Sequence, residues 1–351
     1  MGAIRAEMLP VGGGLSAAVG NAHRVWAERR GVVIRLFDED GAFGCGECSP
    51  LPSYSLESLE HVASALRRAI ELGIPPVLFH PVRHAQRTSE RLLMHSPGAA
   101  FALESALLDL AARRRGISVS ELLAGFTPGP GVVLVSELLQ GDASTWLSQS
   151  SERVAKGSRV LKAKIGRDLA RELAALETVR AAHPALALRL DANGTLPPDE
   201  LPALFDRFCA MGVELVEEPI AGPALFALGP LAVPFAIDES LGLDPPAALR
   251  SHASSIVVKP AMWGVVAARE LAIEAHERGK RVILTHLFDG PWALASTHEL
   301  ALSLPFALSP CGLAPHEALR AYPERSLPRF DAAGGLLDGG RSVPGHGVLP
   351  P

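Results

Sequence analysis

The chain has 351 residues, of which 48% are hydrophobic and 20% are charged, and its formal net charge is −5. This composition is typical of a globular protein with a large core, and the weak negative charge disfavours a nucleic-acid partner. No run of 18 apolar residues occurs and the first residues lack the apolar stretch of a signal peptide, which predicts a cytoplasmic protein without a membrane partner.

The first hundred residues are predicted to form an α+β unit. Residues 32–37 have the pattern of a strand, and residues 38–41 have the composition of a hairpin turn. A helix is predicted over residues 56–72. Between them, residues 49–55 are rich in proline and serine, which is typical of a loop that covers or binds a ligand.

The rest of the chain alternates between helices and short strands. A helix over residues 99–115 is expected to carry its large apolar side chains on one side, and later helices are predicted at 169–182 and 265–278. Eight strands alternating with helices indicate a parallel barrel. The predicted strands cover residues 132–138, 159–165, 186–191, 213–217, 234–238, 254–259, 281–286 and 305–309.

Two domains are therefore expected. Residues 1–98 would form an α+β capping domain, and residues 99–310 would form the barrel. The tail at 311–351 is rich in glycine and proline and has little periodicity. We expect it to pack back across the first domain.

Lysine is rare in this sequence and is concentrated in predicted strands. Only five of the 33 basic residues are lysines, and three of these are Lys162, Lys164 and Lys259. Arginine stays protonated in proteins, whereas lysine gives up its proton when burial or a neighbouring cation lowers its pKa. The distribution therefore favours a role in proton transfer. The alternative is a solvated charge at the end of a strand.

Three carboxylates occupy equivalent positions. Asp191, Glu217 and Asp238 each end a predicted strand. Because the C-terminal ends of parallel barrel strands meet at one mouth, the three side chains are expected to converge there. They would repel one another unless a cation lay between them, and oxygen ligands suit Mg²⁺. The alternative for any one of them is a helix cap or a solvated strand end.

Lysines and a metal ion at one mouth predict a specific chemistry. Lys164 would lie near both the ion and Lys162, which lowers its pKa and makes it a candidate general base. A carboxylate substrate would lose its α-proton to Lys164, and the enediolate would be stabilised by the ion. Lys259, on the other side of the mouth, is placed to stabilise or protonate the opposite face.

The same residues form a recognisable set of motifs. They are Lys-Ala-Lys at 162–164, Asp-Ala-Asn at 191–193, Glu-Glu-Pro at 217–219, Asp-Glu-Ser at 238–240 and Lys-Pro at 259–260. The set resembles the enolase superfamily, in its muconate-lactonising-enzyme-like subgroup. The resemblance implies an α/β fold, a modified TIM barrel (β/α)₇β with an N-terminal α+β capping domain. It also implies catalytic roles for the three lysines and Mg²⁺, or Mn²⁺ in its place, bound by Asp191, Glu217 and Asp238.

Within the subgroup, the sequences at 46–52 and 188–193 resemble the o-succinylbenzoate synthases. Those enzymes dehydrate 2-succinyl-6-hydroxy-2,4-cyclohexadiene-1-carboxylate to o-succinylbenzoate in menaquinone synthesis. The chain departs from their pattern at 285–287, where a serine-rich strand end is common, and at Gly194. The resemblance implies a small carboxylate substrate contacted by Ser49, Leu51, Arg189, Asn193, Thr285, His286, Cys311 and Gly312.

Two other functions stay open. One is an N-acylamino-acid racemase or dipeptide epimerase that uses Lys164 and Lys259 as opposed acid–base groups. A dipeptide epimerase usually has an acidic pair near the last strand to hold the substrate ammonium, and residues 309–312 offer none. The other is a barrel that keeps its metal site only for stability. The sequence is compatible with a monomer or a homo-oligomer.

Overall fold

A computed structural model describes residues 4–20, 24–76, 80–126, 132–323, 326–327, 336–337, 344–349 and 351. The tail that was expected to pack across the first domain lies partly outside these residues. Within the described residues, no helix is both long enough and apolar enough to cross a membrane.

The N-terminal unit is built on a three-stranded antiparallel sheet. Its strands are β1 (Arg5–Gly20), β2 (Val25–Phe37) and β3 (Phe43–Cys48). β2 and β3 pair as a hairpin, which confirms the strand predicted at 32–37 and the turn after it. The helix predicted at 56–72 is α1 (Leu59–Glu71), which begins after the capping residue Ser58.

Three helices connect this sheet to the barrel. They are α2 (Pro81–Leu93), α3 (Pro97–Arg115) and α4 (Val119–Ala124). The expectation that α3 has one apolar side is wrong, because residues 98–112 are buried on every side. β3 lies directly on α3 at Gly46, where a Cβ atom would come within 1.9 Å of the Ala102 carbonyl oxygen. The rest of the helix packs against α1, α2 and β2 on one side and against barrel elements, including two of the barrel helices, on the other.

The second unit is a curved, parallel, seven-stranded sheet in the order β11-β10-β9-β8-β7-β6-β5. Its strands are β5 (Glu137–Leu139), β6 (Val160–Lys164), β7 (Ala187–Asp191), β8 (Val213–Glu217), β9 (Phe235–Ile237), β10 (Ser255–Val258) and β11 (Arg281–Leu284). The helices around it are α5 (Trp146–Ala155), α6 (Leu169–Ala182), α7 (Leu201–Ala210), α8 (Pro245–Arg250), α9 (Val265–Glu277) and α10 (Pro291–Leu302). This is the predicted α/β architecture, a modified TIM barrel beside an α+β unit.

The two ends of the predicted strand series differ from expectation. The strand predicted at 132–138 is split into β4 (Val132–Val133), which pairs with β12 (Leu336–Leu337), and β5. The strand predicted at 305–309 is absent. Its Phe306 instead stacks on His276 of α9, with ring centroids 3.9 Å apart. Pro305, which begins this segment, and Pro310, which follows it, also lack the N–H groups that a central strand needs.

An extended segment at residues 309–312 closes the barrel instead. The Cys311 N–H donates to the Leu134 carbonyl at 2.7 Å, and the Ser136 N–H donates to the Cys311 carbonyl at 2.8 Å. On the other side, the Gly312 N–H donates to the Leu284 carbonyl at 2.9 Å. The closing element therefore begins a few residues later than the sequence pattern indicated.

Two buried glutamates cap barrel helices and hold the two units together. Glu47 of β3 accepts hydrogen bonds from the N–H groups of Gly290 and Trp292 at the start of α10. Glu104 of α3 accepts from the Val265 N–H at the start of α9, at 2.6 Å. Carboxylates are favourable at helix N-termini because they satisfy unpaired N–H groups. These contacts fix the N-terminal unit over the mouth of the barrel.

Candidate active site

Consecutive strand ends bring the predicted lysines and carboxylates to one face of the barrel. β6 ends at Lys164, β7 at Asp191 and β8 at Glu217, and these three residues are paired neighbours in the parallel register. Asp238 directly follows β9, and Lys259 directly follows β10. The C-terminal face of a barrel is where enzymes of this architecture build their active sites.

Ammonium groups lie between the carboxylates. The Lys162 Nζ lies 3.0 Å from the Asp191 Oδ2 and 2.5 Å from the Glu217 Oε2. The Lys164 Nζ lies 3.8 Å from the same Asp191 oxygen. Asp191 and Glu217 are each only 2% exposed. The lysines therefore neutralise buried acids, and Lys164 makes the loosest of these contacts.

The surroundings shift the pKa values of the two lysines of β6 in opposite directions. Burial alone would lower the pKa of Lys162, but the charges of Asp191 and Glu217 outweigh burial and raise it. Burial lowers the pKa of Lys164, and the charge of Lys162 adds to this effect. Burial would raise the pKa of Asp191, yet Lys162 and Lys164 hold it at about 2. Lys162 is thus a fixed cation, and Lys164 gives up its proton more readily.

A chain of hydrogen bonds links the N-terminal unit to the strand ends. The Lys259 Nζ donates to the Tyr54 hydroxyl at 2.7 Å and also to Asp238. The Tyr54 hydroxyl donates to the Glu239 Oε1 at 2.9 Å, and the same oxygen accepts from the Asn193 Nδ2 at 3.1 Å. Sequence reasoning did not select Tyr54 or Glu239. The available signals were the proline- and serine-rich loop around Tyr54 and the position of Glu239 beside Asp238.

A cavity of about 130 Å³ opens above these side chains. The N-terminal unit covers it with Trp26, Leu51 and Tyr54, so the loop at 49–55 lies over the barrel mouth. The Trp26 Nε1–H donates to the Pro52 carbonyl at 3.0 Å, which holds the loop against β2. Five of the predicted substrate contacts line this cavity: Leu51, Asn193, Thr285, His286 and Gly312.

Backbone strain is concentrated around the cavity. Among the described residues, four that are not glycine have a left-handed backbone: Ser53 (φ 60°), Asn193 (φ 44°), Glu218 (φ 41°) and Phe288 (φ 53°). Asn193 and Phe288 line the cavity, Ser53 precedes Tyr54, and Glu218 follows Glu217. Such conformations cost about 1–3 kcal/mol each and cluster at functional sites.

Comparison with known families agrees with this geometry. Residues 16–124 match the N-terminal domain of the mandelate racemase and muconate lactonizing enzyme family. Residues 146–349 match the enolase C-terminal domain-like family. The chain belongs to the enolase superfamily. The members of this superfamily are enzymes, and the muconate-lactonising-enzyme-like subgroup is the one that the sequence resembles.

Relatives within the enolase superfamily have different activities. The chain is 28% identical over 285 residues to the L-Ala-D/L-Glu epimerase of Escherichia coli, covering 80% of this chain and 85% of that protein. It is 32% identical over 308 residues to the o-succinylbenzoate synthase of Desulfotalea psychrophila, covering 75% and 80%. The dipeptide epimerase of Methylococcus capsulatus, complexed with Mg and L-Arg-D-Lys, has a TM-score of 0.85 at 24% identity, covering 99% of this chain and 100% of that one.

The oxygen donors of this enolase superfamily member fit a divalent cation. Among the described residues, no three His, Cys, Asp or Glu side chains form a ready-made metal cluster, because the lysines lie between the acids. However, Asp191, Glu217 and Asp238 are all at least nine-tenths buried, and the buried Oε2 of Glu239 has no hydrogen-bond partner within the part of the chain that the structure describes. These four acids face three lysines, so the formal net charge of the seven side chains is −1. It becomes −2 when Lys164 is neutral. Oxygen donors and a charge of −2 suit Mg²⁺.

Three residues that were predicted to contact substrate lie away from the cavity. The Ser49 hydroxyl turns away and donates to Glu47 at 2.6 Å. Arg189 is fully buried inside the barrel and pairs with Glu214, with 3.0 Å between its Nε and the Glu214 Oε2. The buried Cys311 takes part in barrel closure. None of the three lines the cavity.

Proposed function

We propose that the protein catalyses the dehydration of 2-succinyl-6-hydroxy-2,4-cyclohexadiene-1-carboxylate to o-succinylbenzoate, a step of menaquinone formation. The observation that carries this proposal is the composition of the far wall of the cavity, at residues 285–288 and 312–316. This wall carries apolar groups, a threonine and two imidazoles, and it contains no carboxylate. A substrate without an ammonium group suits such a wall.

The two imidazoles of this wall, on His286 and His316, are neutral. Burial lowers the pKa of His286 to about 3, and it holds the pKa of His316 well below its ordinary value. Their ring centroids are 4.4 Å apart. Neutral imidazoles offer hydrogen bonds to carbonyl and hydroxyl oxygens but supply no negative charge. The wall is therefore compatible with the oxygen-rich succinyl arm of the proposed substrate.

The side chains at the strand ends perform the proposed reaction in two steps. Neutral Lys164 takes the α-proton, and the electron pair passes into the substrate carboxylate to give an enediolate. The charges of Lys162 and Lys259 stabilise that dianion. Lys164 then returns its proton to the departing hydroxyl, which leaves as water. A Mg²⁺ ion bound by Asp191, Glu217 and Asp238 would supply Lewis-acid charge that acidifies the α-proton.

A second candidate function is dipeptide epimerisation. The match to the Escherichia coli epimerase over most of both chains favours it. Lysines on both sides of the mouth also suit a two-base reaction. In the structure, however, Lys259 donates to Asp238 and Tyr54, which is the arrangement of a fixed cation.

Direct assay of both reactions tests the proposal. The purified protein with Mg²⁺ should convert the cyclohexadiene carboxylate to o-succinylbenzoate, followed by the ultraviolet absorbance of the aromatic product. In D₂O, proton NMR of L-Ala-L-Glu should show no exchange at the α-carbon of glutamate. Epimerisation of dipeptides without dehydration would assign the chain to the second function. Activity on neither substrate would reject both candidates.

Removal of the Tyr54 hydroxyl is predicted to lower kcat. Tyr54→Phe keeps the ring over the cavity but deletes the group that accepts from Lys259 and donates to Glu239. We expect kcat to fall about tenfold, the effect of losing one charge-assisted hydrogen bond, with a smaller change in KM. The chain has only one other tyrosine, Tyr322, which bonds to Glu47 outside the cavity. Tyr322→Phe should lower Tm and leave kcat unchanged; equal kcat losses in both variants would contradict the role of Tyr54.

A further inference from the structure

A buried arginine of the N-terminal unit bonds to both loops that enclose the cavity. Arg29 lies on β2 and is 1% exposed. Its NH1 donates to the Pro50 carbonyl at 3.0 Å, and its NH2 donates to the Ser49 carbonyl. On the barrel side, its Nε donates to the Phe288 carbonyl and its NH2 to the Leu287 carbonyl, each at 3.0 Å.

The two loops are far apart in sequence and have different tasks. The loop at 49–55 supplies Leu51 and Tyr54 to the roof of the cavity. The segment at 285–288 supplies the far wall, including Phe288. Arg29 does not itself line the cavity. One planar guanidinium therefore bonds both to the loop that forms the roof and to the segment that forms the wall.

The strain in both loops shows why such a group is needed. Ser53 and Phe288 have left-handed backbones, with φ of 60° and 53°. A strained backbone conformation persists only where contacts with the surrounding structure hold it in place. Arg29 bonds to the Phe288 carbonyl itself and to the two carbonyls at the start of the roof loop. Lysine cannot replace it, because an ammonium group has three donors and no planar fork.

The charge of Arg29 does not explain its position. Asp289 is the nearest acid, with its Oδ1 4.0 Å from the arginine NH2, and that oxygen has no hydrogen-bond partner among the described residues. A buried ion pair at this distance offsets little of its own desolvation. The guanidinium instead donates its hydrogen bonds to the four backbone carbonyls of Ser49, Pro50, Leu287 and Phe288.

We infer that Arg29 is a positioning residue that holds the cavity closed and so sets which substrates it admits. The inference concerns the shape of the cavity and does not depend on which α-proton reaction takes place there. A shift of about 1 Å in either loop is enough to cost about a hundredfold in catalysis.

The chain offers a matched control at the opposite end of the barrel. Arg180 of α6 also donates to four backbone carbonyls, those of Met211, Pro184, Leu186 and Gly212, at 2.7–2.9 Å. These carbonyls precede β7 and β8, on the face away from the cavity. Arg180→Ala therefore removes the same number and type of hydrogen bonds without touching the roof or the wall.

The first measurement is hydrogen exchange of the unliganded protein, which needs no substrate. Arg29→Ala should accelerate amide exchange about tenfold or more in both segments, 49–55 and 285–290, and leave the strands β6 to β8 unchanged. Guanidinium chloride at tens of millimolar should restore slow exchange in both segments. Arg180→Ala should accelerate neither. Acceleration in one segment alone, or equally over the whole chain, would overturn the inference.

The second measurement is turnover of the proposed substrate. Arg29→Ala should raise KM and lower kcat/KM by about a hundredfold. Low millimolar guanidinium should recover part of the loss, while Arg29→Lys should recover less than added guanidinium does. A failure of the wild-type protein to turn over this substrate would refute the proposed function, and the exchange measurement would still decide the role of Arg29. Wild-type kinetics in Arg29→Ala would overturn that role.

Discussion

Replacement of Lys164 by arginine should abolish the proposed dehydration. Arginine keeps the positive charge but does not deprotonate, so the proposed base for the α-proton is lost. General bases contribute about 10²–10⁴-fold to such steps, and the same lysine also returns the proton to the leaving hydroxyl. We therefore expect at least a thousandfold loss of kcat. The measurement is steady-state formation of o-succinylbenzoate, with circular dichroism to show that the variant is folded.

The matched substitution at the other lysine should have a milder effect. Lys259→Arg preserves the cation that faces the enediolate, so the loss should be smaller than the roughly hundredfold cost of deleting a charge-stabilising donor. Deuterium exchange into an analogue that lacks the leaving hydroxyl provides the sharper comparison. Exchange should disappear in Lys164→Arg and continue in Lys259→Arg. Exchange that persists without Lys164 and requires Lys259 would instead assign a two-base epimerase.

The parts of the fold that were predictable depend on local signals. Residues 169–182 form α6 as predicted, because the capping residue Asp168 and a periodic apolar pattern act within a few residues. The strand at 213–217 is also found as predicted, since a short run with alternating apolar residues ends in a carboxylate and is followed by a turn. The predicted strand at 305–309 failed because its apolar residues are used outside the sheet. The contact between Phe306 and His276 is tertiary, and a strand pattern does not encode it.

The residues of the candidate site also fall into those that local sequence signals predict and those that depend on tertiary contacts. Lys164, Asp191 and Glu217 could be placed because strand ends in a parallel barrel converge by geometry alone. Arg189 shares a face with Asp191, but it lies two residues deeper in the strand, where it fills the barrel interior. Tyr54 was missed because its contact with Lys259 spans 205 positions of sequence.

Removal of the metal should abolish turnover and also change stability. The wild-type protein should lose the proposed dehydration in excess EDTA and regain it with Mg²⁺, because Asp191, Glu217, Asp238 and Glu239 outnumber the three lysines and leave excess negative charge for the ion. Binding of an ion only to the folded state stabilises it by about 2.7 kcal/mol at a hundred times Kd. We therefore expect Mg²⁺ to raise Tm by several degrees.

The substitution Asp191→Asn should remove both effects of Mg²⁺ while keeping the side-chain shape. An amide at this position leaves one carboxylate fewer for the ion and gives Lys162 a weaker partner. The control is Asp244→Asn, at the N-cap of α8, where asparagine caps as well as aspartate. This control should keep the full Tm response. An equal Mg²⁺-dependent shift of Tm in both variants would show that the ion binds elsewhere, and full turnover in EDTA would show that the carboxylates serve only to hold the lysines.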